Sequence, residues 1–163
     1  MFATKFDNWQ ASPAPGRHST CSPNLRALLH YCANNWPGIT SLGCFGVRAV
    51  RGGDSPSSHS NGAAIDLGYP AGMLPMIRNE VIPFLIARSD ELHVQAVHDY
   101  RSGRIWRAGR TPHTEDACGA WWKAQKHSIA TGMGQPWANH LHVETTEAGW
   151  TDGTPIRARW DHP

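Results

Sequence analysis

Apolar residues at Leu25, Leu28, Leu29 and Cys32 recur at i, i+3, i+4 and i+7, the stripe of a helix that buries one face. Ser22-Pro23 supplies an N-cap and a proline at the first helical position, and Asn34-Asn35-Trp36-Pro37 stops the helix. Its His30 is expected to be structural or exposed. Ile39 to Val50, rich in β-branched and small residues, predicts one or two strands ending at Arg51-Gly52-Gly53-Asp54. Met73, Met76, Ile77, Val81, Leu85 and Ile86 fall mostly at helical spacing, with Pro75 near the start and Pro83 set to kink or split the helix. Glu91 to Tyr100 alternates as a strand, and Arg101-Ser102-Gly103 turns it into Arg104-Ile105-Trp106, a hairpin. His93 and His98 would lie on opposite faces of that strand, and both are taken as structural. Thr111 to Gln135 mixes prolines and glycines with a short helix expected around Ala117 to His127; a connection of this kind can form a groove wall, with His113 and His127 as remote substrate contacts. The tail from Thr145 to Pro163 reads as loops with a short final strand. Residues 1–20, containing Ser12-Pro13-Ala14-Pro15-Gly16, have no periodicity and read as an arm.

These elements predict one α+β domain spanning 1–163: a small, mainly antiparallel sheet with helices packed on one face. The chain has 163 residues and is 40% hydrophobic, enough to bury a core and too apolar for a disordered chain. A net charge of +2 without a long basic run argues against a nucleic-acid partner. No apolar stretch has the length of a membrane span, which argues against a membrane partner, and Met1 to Gln10 lacks the apolar core of a signal peptide, so synthesis in a cytoplasm without a signal is expected. Cys21, Cys32, Cys44 and Cys118 show no Cys-x-x-Cys spacing, which argues against a structural metal cluster; buried free thiols are the expectation. Eight tryptophans are many for this length; some belong to the core, and large aromatic residues also line sugar- and peptide-binding grooves.

The candidate chemistry lies in two segments. His140, His142 and Glu144 sit at i, i+2 and i+4, so in a strand they share one face while Leu141 and Val143 take the other. About seventy residues earlier, Ser57 to Asp66 passes through Gly62, a plausible bend, into Ala63-Ala64-Ile65-Asp66-Leu67. A carboxylate in such an apolar run is expensive to bury unless it is paired or holds a metal. Three protein ligands with an open position describe a catalytic zinc, and His59, Asp66 and His142 are the expected set. Against this, His-x-His pairs arise by chance in a chain with ten histidines, and a lone buried Asp is often only a hydrogen-bonded structural group.

Ser57 to Asp66 fits the pattern SxHxxGxAxD at every fixed position. It resembles the zinc D-Ala-D-Ala carboxypeptidases and L-alanyl-D-glutamate endopeptidases, which include the vancomycin-resistance D,D-peptidases and several phage endolysins. The resemblance covers roughly Cys44 to Glu144, taken as the catalytic core, and implies one zinc on His59, Asp66 and His142. Many members place an acidic general base three residues before the last zinc histidine, where this chain has Asn139. Another branch uses a His-x-His motif, and this chain looks like that branch. His140 is therefore the better candidate for proton handling or transition-state stabilisation, with Glu144 as the weaker one. An arginine upstream of the motif contacts the substrate in the family, which points to Arg48 first and Arg51 second, and Ser57 is expected to hydrogen-bond a ligand histidine.

The resemblance implies a metallopeptidase hydrolysing the peptidoglycan stem peptide. A small, single-domain, signal-less, mildly basic chain suggests a phage endolysin or virion lysin acting at the bacterial cell wall, as an endopeptidase rather than a D-Ala-D-Ala carboxypeptidase, and a monomer is expected. From another class, a non-catalytic zinc-containing binding module stays open, since the signalling domain of hedgehog proteins resembles this fold. A structural or interaction protein whose histidines are incidental is a further alternative.

Overall fold

The computed structural model describes residues 20–47, 49, 57–108, 114–115, 121–124 and 134–151, with 114–115, 121–124 and 151 as backbone only. The expectations for residues 1–19, Arg48, Arg51, His113 and His127 lie outside the described residues. Helix α1 spans Pro23–Asn35, where Ser22 Oγ accepts the Asn24 N–H at 3.2 Å and the Trp36 N–H closes the far end on the Cys32 carbonyl at 2.8 Å. Leu25, Leu28 and Cys32 are buried, and His30 is exposed, as its place on the outer face requires.

Among the described residues, seven strands pair antiparallel: β1 (Thr40–Gly43), β2 (Ala64–Gly68), β3 (Val94–Asp99), β4 (Arg104–Arg107), β5 (Thr114–Glu115), β6 (Trp121–Ala124) and β7 (His140–Thr145). Their spatial order is β1-β2-β7-β3-β4-β6-β5. The expected hairpin joins β3 to β4. However, β3 begins only at Val94, because Ser89–Leu92 forms a helical turn (α4) that His93 closes at φ 53°. Nor does β3 alternate between buried and exposed positions: all of its residues are buried, since the strand lies mid-sheet.

A helical layer packs on the sheet through α2 (Leu74–Met76), a wide π-turn (Ile77–Val81) and α3 (Ile82–Ala87). Pro83 has no N–H to give to the fourth residue back, and its ring would crowd that carbonyl; the wide turn just before it absorbs the mismatch and keeps Ile77, Val81 and Leu85 aimed at the core. They meet Ile65, Leu67, Val94, Val97, Leu141 and Val143 from the sheet. The architecture is α+β. Among the described residues no helix is long and apolar enough to cross a membrane.

Three further expectations are corrected. Trp121–Ala124, placed in a helix from sequence, is strand β6, which pairs with the otherwise open edge of β4. The segment after β7 is not all loop, because Glu147–Thr151 forms helix α5. Finally, the cysteines are not all free thiols: Cys21 and Cys44 form a disulfide with Cα atoms 5.4 Å apart. The loop leaving β1 returns over the start of α1, a proximity that exists only in the folded chain. Cys32 is free, and burial pushes its thiol up to about 12, while Cys118 lies outside the described residues.

Gly62 closes the short 3-10 turn Ser58–Asn61 at φ 63°, and a Cβ there would collide with the Thr20 carbonyl. Gly62→Ala is therefore expected to lose at least the roughly 1–2 kcal/mol of a left-handed non-glycine residue. Urea denaturation checks this, and an unchanged midpoint would refute it.

Candidate metal site

The turn that carries His59 is built by its neighbours. Ser57 Oγ accepts the His59 N–H at 3.3 Å, and the Gly62 N–H returns to the His59 carbonyl at 3.0 Å, so the ring is placed over the sheet and is 3% exposed. The other two residues come from the ladder, where Asp66 on β2 is paired with His142 on β7, and His142 with His98 on β3. Side chains that share a rung share a face. Ile65, Val143 and Val97 form the adjacent rung and enter the core from the other face.

His59 Nε2, Asp66 Oδ1 and His142 Nδ1 form a triangle with edges of 3.2, 3.0 and 3.1 Å. The outer partners settle which atoms carry hydrogen. His59 Nδ1 is 3.0 Å from the Cys44 carbonyl, which can only accept, so Nδ1 donates and Nε2 presents a lone pair. His142 Nε2 lies 3.1 Å from Glu144 Oε1, another pure acceptor when ionised, so Nε2 donates there, and His142 Nδ1 presents a lone pair whenever the ring is neutral and a proton to Asp66 when it is not. Two lone pairs and a carboxylate converging at these distances repel one another unless a cation lies among them. A proton satisfies part of the triangle; a metal ion satisfies all of it. The edges are close to the ~3.3 Å that donors ~2.0–2.1 Å from a tetrahedral ion have between them. The buried group His59, Asp66 and His142 could hold a metal ion.

Behind His142, Glu144 is 6% exposed and accepts from three sides: His142 Nε2, Ser58 Oγ at 3.0 Å and Gln95 Nε2 at 3.2 Å. Gln95 reaches it because a bulge between Val94 and Ala96 inserts one extra residue into β3 opposite β7. Glu144 thus orients and polarises His142 from the side away from Nδ1, the arrangement that fixes metal-binding histidines. Ser57 does not bond a ligand histidine's ring as expected. The turn spends it on the His59 backbone and gives that role to Ser58, whose Oγ is 3.2 Å from His142 Nε2.

The donors line a cavity of about 470 Å³ that also takes in His140, Tyr100, Asn139 and His98. His140 stacks on Tyr100 with ring centroids 4.2 Å apart and forms part of the wall. His98, expected to be only structural, lines the same cavity with its ring 4.9 Å from that of His142. Its Nε2 is buried without a hydrogen-bond partner. Sequence reasoning missed Ser58, Gln95, His98 and the Cys44 carbonyl. Only the pairing of His98 with His142 had a signal, the alternation of β3, and the residues' faces depend on a register that sequence leaves open.

Burial alone would raise the carboxyls of Asp66 and Glu144, yet hydrogen bonds from the facing histidines hold both well below the usual carboxylate range. Burial and the neighbouring His142 press His98 down to about 3. For His142, burial alone would lower it, but hydrogen bonds to Asp66 and Glu144 prevail and lift it to about 9. The depressed groups contribute stability that is present at neutral pH and lost on acidification, in the case of His98 as pH falls from 6.5 toward about 3. The raised His142 contributes stability that is present below 6.5 and lost as pH rises through about 9. The melting temperature of the metal-free protein is therefore expected to peak near neutrality and fall on both sides. Bound metal takes the place of the proton among the donors and should flatten the alkaline limb; an alkaline fall of the same depth with zinc would refute this.

Neither family models, nor curated proteins, nor solved structures show a match to this chain. What the molecule itself defines is an α+β protein with a buried His-Asp-His donor set at the floor of an open cavity.

Proposed function

We propose that this protein is a zinc-dependent peptidase that cleaves peptidoglycan stem peptides, acting as a lysin of the phage endolysin type. The observation that carries the proposal is the convergence of His59 Nε2, Asp66 Oδ1 and His142 Nδ1 at the floor of a substrate-sized cavity. Two nitrogens and one carboxylate oxygen suit zinc, and they leave the cavity side open. The SxHxxGxAxD segment gives the same donors and points to the hedgehog and D,D-peptidase fold, and to stem peptides as substrate.

Zinc held there supplies Lewis acidity toward a carbonyl and lowers the pKa of water. The chain's own groups do the rest. Glu144 and Ser58 keep the His142 hydrogen on Nε2, and the Cys44 carbonyl keeps that of His59 on Nδ1. His140, fixed by its stack on Tyr100, takes and returns the proton. Arg48, or failing that Arg51, shares the charge that develops on the carbonyl oxygen. Leu42, Phe45 and Trp137 line the cavity while 57%, 41% and 65% exposed, an apolar rim over a polar floor. Such a rim takes the aliphatic and sugar parts of a wall fragment. Trp137→Ala is accordingly expected to raise KM about tenfold with kcat unchanged. Steady-state kinetics on soluble wall fragments checks this, and a pure kcat defect would refute it.

One observation favours a second reading, a non-catalytic zinc-binding module: Asn139, lining the cavity, stands where many family members carry an acidic base. Digestion of purified peptidoglycan with and without chelator, read by mass spectrometry, separates the cases. New amino termini on released stem peptides, lost with chelator and restored by zinc, establish the endopeptidase. Release of free D-Ala alone makes it a carboxypeptidase, and no products from zinc-loaded protein leave the binding module.

A further inference from the structure

The residue that orients His59 from outside belongs to the disulfide. Cys44 offers its carbonyl to His59 Nδ1 at 3.0 Å, and its side chain is bonded to Cys21. The two chain segments joined by that bond both grip the turn carrying His59. On the Cys44 side, the Gly46 N–H donates to the His59 carbonyl at 3.2 Å and Ser60 Oγ donates to the Gly46 carbonyl at 3.3 Å. On the Cys21 side, the Ser22 N–H donates to the Gly62 carbonyl at 2.9 Å. The bond thus closes a clasp around residues 59–62. The Cys44 strap needs such a tie, since it follows an edge strand whose residues are all exposed and carries Phe45 and Val47, 41% and 70% exposed. Both bonded cysteines are only partly buried, and Cys44 lines the cavity, so small thiols can reach the bond.

We propose that the Cys21–Cys44 disulfide is a positioning device for His59 and makes metal affinity depend on redox state. With the bond closed, the Cys44 carbonyl holds the His59 hydrogen on Nδ1 and the lone pair on Nε2, toward Asp66 and His142. A dithiol opens it by exchange: two electrons and two protons pass to the cysteines, and the dithiol leaves as a cyclic disulfide. The strap is then free to leave, and His59 loses the partner that sets its tautomer and ring angle. Loss of such a partner weakens metal binding by about 10- to 100-fold. Under the proposed function, the lysin would hold zinc weakly in a reducing cytoplasm and tightly at the oxidising wall. The device rests on the metal reading of His59, Asp66 and His142 and not on the peptidase reading.

The test is calorimetric titration of zinc into the full metal-free chain, oxidised, reduced with dithiothreitol that is then removed under anaerobic conditions because it binds zinc itself, and as the double variant Cys21→Ser/Cys44→Ser. Far-UV circular dichroism accompanies each state. The expected result is a Kd about 10- to 100-fold weaker in the reduced protein, matched by the double variant without reductant, with the spectrum preserved and the loss reversed on reoxidation. The double variant is needed because a freed Cys44 thiolate could itself bind zinc. Affinities within twofold across all three states overturn the proposal. So does collapse of the spectrum on reduction, which would make the bond a support of the whole fold. If the double variant does not fold, the reversible loss in the wild-type chain decides. A site that binds no zinc in any state refutes the metal reading itself, whereas tight zinc binding without wall hydrolysis refutes only the peptidase.

Discussion

On the proposed reading, Asp66→Asn is expected to abolish zinc binding and, with it, wall hydrolysis. The substitution keeps the shape of a side chain held between two rings at 3.0 and 3.2 Å but removes the charge that offsets the ion. Losing a direct donor should exceed the roughly 10- to 100-fold loss in affinity that follows removal of an outer partner. His142→Ala should do the same, with the added disruption of a buried cluster. Metal content by mass spectrometry of the native protein, wall hydrolysis and the melting temperature of the metal-free form together check this. The metal-free form of Asp66→Asn should stay folded. A variant with full zinc and full hydrolysis would sink the assignment.

Glu144→Ala is the second large effect. It leaves the buried His142 N–H, Ser58 hydroxyl and Gln95 amide without their shared acceptor. Removing one partner of a buried charged pair is destabilising by about 3–5 kcal/mol, and zinc affinity should fall by about 10- to 100-fold. Glu144→Gln separates orientation from proton transfer. Gln keeps an oxygen for His142, so an orienting role predicts near-normal zinc and substantial turnover, with stability lowered because the Gln95 amide must turn over. Normal zinc with no turnover would instead make Glu144 the proton acceptor and displace His140.

Much of this was legible because it is local. A serine before a proline and a stripe at i, i+3, i+4 and i+7 specify where α1 starts and which face it buries, and a proline inside an apolar helical run announces an interruption, which takes the form of a π-turn. The donor set was legible because alternation along one strand and a buried acid on another define faces. What stayed hidden depends on contacts between distant segments. Ser57 and Ser58 are chemically identical, and only the pitch of the 3-10 turn decides which caps the backbone and which reaches His142. Gln95 enters through a bulge, where alternation breaks down. Trp121 to Ala124 has no pattern of its own that outweighs an available strand edge, and the disulfide joins residues that are neighbours only after α1 has packed on the sheet.

Two of the three donors, Asp66 and His142, sit on paired strands in the middle of the sheet, while His59 rides on a single short turn. Mid-sheet hydrogen bonds open only with the global unfolding of a domain, whereas a one-turn segment opens by itself far more often. An ion held there would therefore exchange with solvent in a built-in direction. It would be let go at His59 first and taken up there last, its residence time following the breathing of four residues, not the lifetime of the fold.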